Sequence, residues 1–210
     1  MEATLALLAD ELASEGFTLK AGLQIKRNDG EFADLIRAQS STWNRGGVQA
    51  WFNLTAIGES ARLSVFKKER WPGRRAAVTK FDRWVTSRQL KWIGQPRTAR
   101  WDAIDPAARP GIAREAAAII RADILPWFQL ARDPLWQLSQ LVDHSTNPRI
   151  LTFAVALDEA DAAKARIAEL RATNSRFEEA FRRLKRDSAD RGVGNAFDAV
   201  VLTALELDLA

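Results

Sequence analysis

Residues 23–40 of the chain read LQIKRNDGEFADLIRAQS, and this stretch decides the fold. Before the central Asn28-Asp29-Gly30, Leu23 and Ile25 alternate with polar residues, which is the period of a β-strand with one buried face. The Asn-Asp-Gly sequence is typical of a tight hairpin turn, because glycine tolerates the positive φ angle that such a turn requires. The stretch therefore predicts two antiparallel strands, the second of which runs from Glu31 to Ser41.

The same two-residue period extends on both sides of this hairpin. Upstream, Phe17 and Leu19 alternate with polar residues and predict a short strand. Downstream, alternation predicts a strand from Val48 to Ile57, and the turn before it is supplied by residues 44–47, which read NRGG. Further strands are expected at about Arg62 to Lys67 and within Phe81 to Ile93.

Helical patterns lie before and after these strands. Leucines recur every three to four residues between Thr4 and Glu15, and Gly16 follows as a terminator. Later in the chain, aspartate-proline pairs predict helix starts, because the carboxylate can cap the helix and proline is favoured at its first position. These pairs are Asp105-Pro106 and Asp133-Pro134; Pro126 is expected to end or kink a helix, and Ser175 with Glu178 fits a capping box.

The order of strands first and helices later indicates the α+β class. We expect an antiparallel β-meander of four to five strands packed on helices, with a C-terminal helical extension. The corresponding domain boundaries are residues 1–143 for the α+β domain and 144–210 for the extension. The extension is expected to pack on the domain that precedes it.

Several short motifs in this order resemble the domain of unknown function 4304 family. They are Gly16-Phe17 after the first helix, the hairpin, Gln39-Ser40-Ser41, Phe52-Asn53-Leu54 and the helix end at residues 124–128, which reads ILPWF. The resemblance covers about residues 1–143 and implies an α+β fold. As the family's name states, it implies no activity, catalytic residue or cofactor.

The composition argues against most catalytic chemistries. The 210 residues include no cysteine, no tyrosine and one histidine, His144, which removes thiolate nucleophiles, disulfides and multi-histidine metal sites. His144 lies at a predicted helix end, where interaction with the helix dipole is the commoner role for a histidine than catalysis. We therefore predict no catalytic residues, no metal and no cofactor, and we favour a protein that is not an enzyme.

The sequence also bears on location. Glu2 stands where a secretory signal would be basic, and the chain contains no apolar run of about eighteen residues that could cross a bilayer. We expect a soluble, cytoplasmic protein without a membrane partner. The number of copies in its assembly is left open by the sequence.

Positive charge is concentrated in one segment, residues 62–101. It contains 12 basic and 2 acidic residues, a net charge of +10, whereas the flanking segments are each net acidic. Six aromatic residues are interleaved with these cations, a combination that suits a phosphate backbone with stacked bases or an acidic protein surface. The alternative is a solvated sheet face whose tryptophans pack inward.

We predict a non-catalytic binding module that recognises an acidic protein through this basic, Trp-rich surface; a nucleic-acid-binding accessory protein using the same surface is the alternative. The centre of the surface is expected at Trp71, because a tryptophan among arginines in a loop has no evident packing role there. The opposing interpretation is that Trp71 folds back on the core. The predicted binding residues are Lys67, Lys68, Arg70, Trp71, Arg74 and Arg75.

Overall fold

The computed structural model describes residues 1–42, 44–46, 48–71, 83–186 and 197–209. The chain divides into two compact units. The first, which we call the sheet unit, consists of Met1–Ser60 and Ser87–Gln129; the second, the helical unit, consists of Ala61–Thr86 and Leu130–Ala210. The division differs from the single boundary predicted between residues 143 and 144, because an inserted segment of the first half packs with the later helices.

The α+β class and the antiparallel meander predicted from the sequence are confirmed. Within the described residues the sheet has six strands: β1 to β5 lie side by side in chain order, and β6 also pairs with β4. The strands are β1 Thr18–Lys20, β2 Gln24–Asp29, β3 Phe32–Ser40, β4 Trp51–Ser60, β5 Trp84–Gln89 and β6 Trp101–Asp102. The α-helices are α1 Glu2–Glu11, α2 Ala61–Arg70, α3 Arg109–Ile119, α4 Leu125–Ala131, α5 Pro134–Ser139, α6 Arg149–Ala156, α7 Ala160–Thr173, α8 Ser175–Arg186 and α9 Asp198–Glu206. None of the helices in the described ranges is long and apolar enough to cross a membrane.

The hairpin of residues 23–40 forms where the sequence places it. Asp29 pairs with Phe32 across a two-residue turn in which Gly30 has a φ angle of 59°. β3 then pairs antiparallel with β4 over nine residues, from Phe32 opposite Ser60 to Ser40 opposite Phe52. β4 begins at Trp51 rather than at Val48, whose side chain is 64% exposed, so the predicted start of that strand is wrong.

One face of this sheet carries the core of the sheet unit. Ile25, Ile36 and Leu54 come from three adjacent strands, point to the same side and are fully buried. α1 packs on α3 and on β1 and β2, and it contributes Leu5 and Leu8 to the buried set. α1 ends at Glu11, before the predicted Glu15, and a short 3-10 turn, Ala13–Glu15, follows it. The predicted terminator Gly16 ends this turn with a φ angle of 84°, in the left-handed region that ends helices.

Pro126 does not end the helix in which it stands. A π-helical turn over Ile120–Ile124 connects α3 to α4, and the backbone dihedrals stay helical on both sides of the turn. Proline has no backbone N–H and clashes with the preceding turn of an α-helix. The wider π-turn precedes Pro126 directly, and such turns are an established way of interrupting the regular hydrogen-bond ladder within a helix.

The expectation of a strand at Arg62 to Lys67 is wrong, because this segment forms α2. Leu63 and Val65 suggest a two-residue period, but Val65 is 51% exposed. Leu63 is fully buried and Phe66 packs on the apolar core of the helical unit, so the operative spacing is the three-residue spacing of a helix face. α2 packs on α6, which places it with the C-terminal helices.

The core of the helical unit is built from α5 to α9, with Phe177 and Phe181 of α8 fully buried. The aspartate caps of Asp105 and Asp133 are confirmed, since each carboxylate accepts a hydrogen bond from the backbone N–H two residues later. The cap of α8 lies one residue earlier than predicted: Asn174, not Ser175, accepts from the backbone N–H of Phe177 at 3.1 Å.

We expect Phe52→Ala to lower the free energy of unfolding by about 3–5 kcal/mol, because it removes a large side chain that is 2% exposed and stacks with Trp101 at a ring-centroid distance of 5.7 Å. Urea unfolding followed by circular dichroism measures the change. Val48→Ala is the matched control and should alter the stability by less than about 0.5 kcal/mol. Equal effects of the two substitutions would contradict the assignment of the buried face.

A second expectation concerns acid stability. Nε of Arg121 lies 2.5 Å from Oε1 of Glu15, and this hydrogen bond lowers the pKa of Glu15 from 4.5 to about 2. A carboxyl group with a lowered pKa in the folded state stabilises the protein above its unfolded pKa, and this contribution is lost as the pH falls from 4.5 to about 2.

Glu15→Gln should therefore flatten the decline of the unfolding free energy across that pH range, as measured by urea titrations at several pH values. Glu31→Gln removes the same charge from the exposed hairpin turn, where Glu31 has no partner among the described residues. It should leave the decline unchanged. An undiminished decline in Glu15→Gln would exclude this ion pair as its cause.

Candidate functional site

The structure places four of the six predicted binding residues at one end of α2. Lys67, Lys68 and Arg70 lie in the last turn of the helix, and Trp71 follows it directly. Arg74 and Arg75 lie outside the described residues. Cations in the last turn of a helix interact favourably with the negative end of its dipole, so part of this charge also stabilises α2 itself.

Trp71 has the packing role that the opposing interpretation gave to it. Its ring lies edge-on to Phe66 at a centroid distance of 6.3 Å, and it packs against the core of the helical unit. Next to it, Arg70 donates from Nη2 to the carbonyl oxygen of Glu206 at 3.1 Å and lies 3.2 Å from Oδ2 of Asp208. Trp71 and Arg70 therefore anchor α2 to the end of α9.

The described parts of the basic segment of residues 62–101 are divided between the two units. Its first part is α2 of the helical unit, whereas its last part, from Ser87 onward, belongs to the sheet unit. There Trp101 is 3% exposed and packs between Phe52 and Trp92, with ring-centroid distances of 5.7 and 5.2 Å. Trp101 also donates from Nε1 to Glu115 at 2.9 Å, so this tryptophan is a core residue rather than an exposed stacking platform.

A strongly basic groove lies on α7 and α8 of the helical unit. We call it the arginine groove; its volume is about 600 Å³. Four guanidinium groups line it, and two carboxylates lie among them. The lining residues are Arg171, Ala172, Thr173, Ser175, Glu178, Glu179, Arg182, Arg183 and Arg186.

Part of the charge in the arginine groove is neutralised internally. Glu178 accepts from Arg171 and from Arg182, each at 2.8 Å, and these two hydrogen bonds hold its pKa below the usual value. Glu178 and Arg182 stand four residues apart on α8, the spacing at which side chains of a helix are neighbours. Arg183, in contrast, pairs with Asp198 of α9 at 2.5 Å, and the Asp198 side chain is fully buried.

Two charged side chains of the arginine groove, Arg186 and Glu179, form no ion pair with another described residue. Among the described residues, Arg186 donates only to the backbone carbonyl of Arg182, at 3.4 Å. Glu179 is exposed and has no partner within the described ranges. Within the described ranges, the groove therefore presents one cation, Arg186, and one carboxylate, Glu179, that pair with no other side chain, next to the internally paired Glu178.

A second candidate lies in the sheet unit, where β3 ends and β4 begins. This cleft, which we call the sheet-end cleft, has a volume of about 540 Å³. Its described lining consists mostly of polar side chains, and Arg100 is the ionisable one among these described residues. The lining residues are Gln39, Ser40, Ser41, Thr42, Gln49, Trp51, Phe52, Asn53 and Arg100.

Side-chain hydrogen bonds fix the backbone at the rim of the sheet-end cleft. The side-chain amide of Asn44 makes the two hydrogen bonds with Trp51 that the backbone of a paired strand would make. It donates to the carbonyl of Trp51 and accepts from the N–H of Trp51, both at 2.8 Å. On the other side, Asp102 accepts from the N–H of Ala50 at 2.9 Å and from that of Ile104 at 3.0 Å. Trp51 is thereby held from both sides while its own side chain remains 38% exposed.

Sequence reasoning missed this cleft because its residues are far apart in the chain and individually ordinary. Gln39 and Asn53 become neighbours only through the pairing of β3 with β4, where they stand directly opposite each other. The available signal was Trp51, which begins a strand directly before the buried Phe52 and must therefore point to the opposite face. Composition and charge patterning do not reveal such a row of polar side chains across two paired strands.

The structure gives no support to a metal or histidine centre in the described part of the chain. His144 is exposed, and its backbone N–H donates to the carbonyl of Gln140 at 3.1 Å. Its neighbour Asp143 forms an ion pair with Arg166 at 2.6 Å. Within the described ranges, no three histidine, aspartate or glutamate side chains converge in the manner of a metal site.

Known proteins show no significant match to this chain. No protein-family model matches the chain, and neither a curated protein nor a solved structure matches it significantly.

Proposed function

We propose that this chain is a non-catalytic binding module that recognises an acidic protein partner, and that the arginine groove is its principal contact surface. The observation that carries the proposal is the set of four arginines, Arg171, Arg182, Arg183 and Arg186, converging on one groove. Arginine is enriched at the energetically important positions of protein interfaces, because its planar guanidinium binds carboxylates through two parallel hydrogen bonds.

The internal pairing within the groove supports a binding surface rather than a random accumulation of charge. Glu178 fixes the guanidinium groups of Arg171 and Arg182, so less conformational entropy is lost when a partner carboxylate docks beside them. Arg183 is held by Asp198 in the same way. Arg186 is the cation left to pair with an incoming carboxylate.

The free carboxylate of Glu179 favours a protein partner over nucleic acid. A nucleic acid presents negative phosphates along its whole length, and an unpaired carboxylate in the groove would repel them. A protein surface of mixed charge can offer a lysine or arginine to Glu179 while its own carboxylates pair with the arginines. The mixed lining therefore matches an acidic protein better than a polyanion.

The binding residues predicted from the sequence are also part of this proposal. Lys68 lies in the same helical unit, is exposed, and has no partner among the described residues. We propose that Lys68 and Lys67 contribute a secondary contact, and that Arg70 and Trp71 position the end of α2. Arg74 and Arg75 follow on the chain and belong to the same proposed basic surface.

Affinity capture from lysate of the native host, with quantification by mass spectrometry, tests the proposal. The variant Arg186→Glu should reduce the recovery of an acidic partner by about tenfold, because a carboxylate would replace the free cation of the groove. Lys68→Glu should reduce recovery less. The melting temperature of each variant should stay within about 2 °C of the original, since exposed substitutions rarely change stability by more than about 0.5 kcal/mol.

Arg176→Glu is the matched control, because Arg176 is exposed on the same helix but does not line the groove. It makes the same change in net charge and should leave recovery unchanged. Nuclease treatment of the lysate separates the two candidate functions. Loss of capture after nuclease treatment would indicate nucleic acid as the ligand, and equal losses in Arg186→Glu and Arg176→Glu would show that the groove is not the contact surface.

A further inference from the structure

We propose that the sheet-end cleft binds a single nucleotide with an unpaired base, in which the base stacks on Trp51, the carboxamides of Asn53 and Gln39 contact the edge of the base, and Arg100 binds the phosphate. This site lies in the sheet unit and does not depend on the function proposed for the helical unit. The shared chemistry is a nucleotide, whether free or part of a single strand.

Trp51 supplies an exposed aromatic face on a rigid support. Its backbone is held by Asn44 on one side and by the β6 pairing of Trp51 with Asp102 on the other. The next residue, Phe52, is buried in the aromatic cluster beneath the sheet. Because the strand beneath is fixed, stacking on Trp51 costs little ordering of the protein, and a base gains about 1–3 kcal/mol from such a contact.

Spacing along β4 leaves room for one ring beside Trp51. Side chains two residues apart on a strand point to the same face and are separated by about 6.6 Å, which is the relation of Trp51 to Asn53. A planar ring stacked on the indole at a van der Waals distance of about 3.5 Å therefore places its edge near the carboxamide of Asn53. Gln39 stands opposite Asn53 and continues the polar row.

The side-chain amides of Asn53 and Gln39 can still form hydrogen bonds with a ligand. Asn53 is half-buried and its side chain has no partner among the described residues. Gln39 accepts from the hydroxyl of Thr55 at 3.2 Å, which orients its amide and leaves the NH₂ group to donate. A carboxamide presents a donor and an acceptor side by side and pairs with the edge of adenine through two hydrogen bonds.

Arg100 completes the match with a phosphate. It directly precedes β6, one position beyond the pairing of Trp101 with Phe52, and it lines the cleft opposite the amide row. None of the described lining residues carries a carboxylate, and the carboxylate of Asp102 at the rim accepts hydrogen bonds from the backbone N–H groups of Ala50 and Ile104. A single guanidinium suits a single phosphate group, and the cleft volume of about 540 Å³ is within the range for small ligands.

An unpaired base is required because the ring must stack on Trp51, and in a duplex both faces of a base are covered by its neighbours. One stacking residue and one cation also favour a single nucleotide over a long strand with many phosphate contacts. A sugar could stack on Trp51 and bond to the amides, but a neutral sugar leaves the guanidinium of Arg100 without a counter-charge. The arrangement of the four side chains therefore favours a nucleotide.

Isothermal titration calorimetry of the full chain with adenosine monophosphate, adenosine, and an adenine pentanucleotide of single-stranded RNA tests the proposal. Adenosine monophosphate should bind with a Kd in the range of about 1 mM or tighter. Adenosine should bind about tenfold more weakly, because it lacks the phosphate. A pentanucleotide that binds much more tightly than the monophosphate would assign the site to single-stranded RNA, whereas comparable affinities would assign it to a free nucleotide.

Two variants assign the roles of individual side chains. Trp51→Ala should abolish detectable binding of both the monophosphate and adenosine. Arg100→Gln should reduce the affinity for the monophosphate to that of adenosine and leave the affinity for adenosine unchanged. Arg97→Gln is the matched control for charge, since Arg97 is exposed nearby in sequence but does not line the cleft.

Specific results would overturn the inference. The absence of binding for the monophosphate and the pentanucleotide would exclude a nucleotide site, and so would unchanged affinities in Trp51→Ala with an unchanged melting temperature. Binding of maltose without binding of the nucleotides would reassign the cleft to a sugar. None of these outcomes involves the arginine groove, so failure here is distinguishable from failure of the proposed function.

Discussion

The pairing of β3 with β4 is the constraint on which the sheet unit depends. Nine consecutive residue pairs fix which face of the sheet each side chain occupies, and a shift of one residue along one strand would move each of its side chains to the other face. In the observed register Ile36, Ala38 and Leu54 enter the core, and Gln39 and Asn53 stand together on the opposite face. The core and the polar row of the sheet-end cleft are therefore two results of the same register.

In the helical unit, the corresponding role belongs to the buried carboxylate of Asp198. It has no exposure to solvent and pairs with Arg183, so the start of α9 and the last turn of α8 are tied by a charged hydrogen bond. Burying a carboxylate is costly unless it is paired, and this requirement fixes the position of Arg183. The arginine groove is thus built partly from cations that the fold needs, which explains why its centre is already ordered before any partner binds.

The two candidate surfaces differ in chemistry, and the difference follows from the elements that carry them. Helices α7 and α8 present long charged side chains at three- and four-residue spacing, which produces a groove of alternating charges. The end of the sheet presents short amide and hydroxyl side chains around a tryptophan, because the strands leave little space between neighbours. The first surface suits a mixed-charge protein and the second suits a small planar ligand. Each proposal follows from the local geometry of its own unit.

The sequence by itself determined the α+β class, the hairpin at Gly30, the terminator at Gly16 and the aspartate caps, because each depends on a few adjacent residues with strong backbone preferences. The resemblance to the domain of unknown function 4304 family stays a prediction.

Tertiary structure decided the rest of the fold and both candidate surfaces. Residues 61–70 fit a short strand or a helix by local pattern, and only the packing of Leu63 and Phe66 on other elements selects the helix. In the same way, Trp71 packs on the core of the helical unit and Trp101 is buried in the sheet unit, because burial depends on partners that are distant in the chain. The pairing of Gln39 with Asn53 likewise exists only after two strands have met, so no property of either residue alone could have shown the cleft.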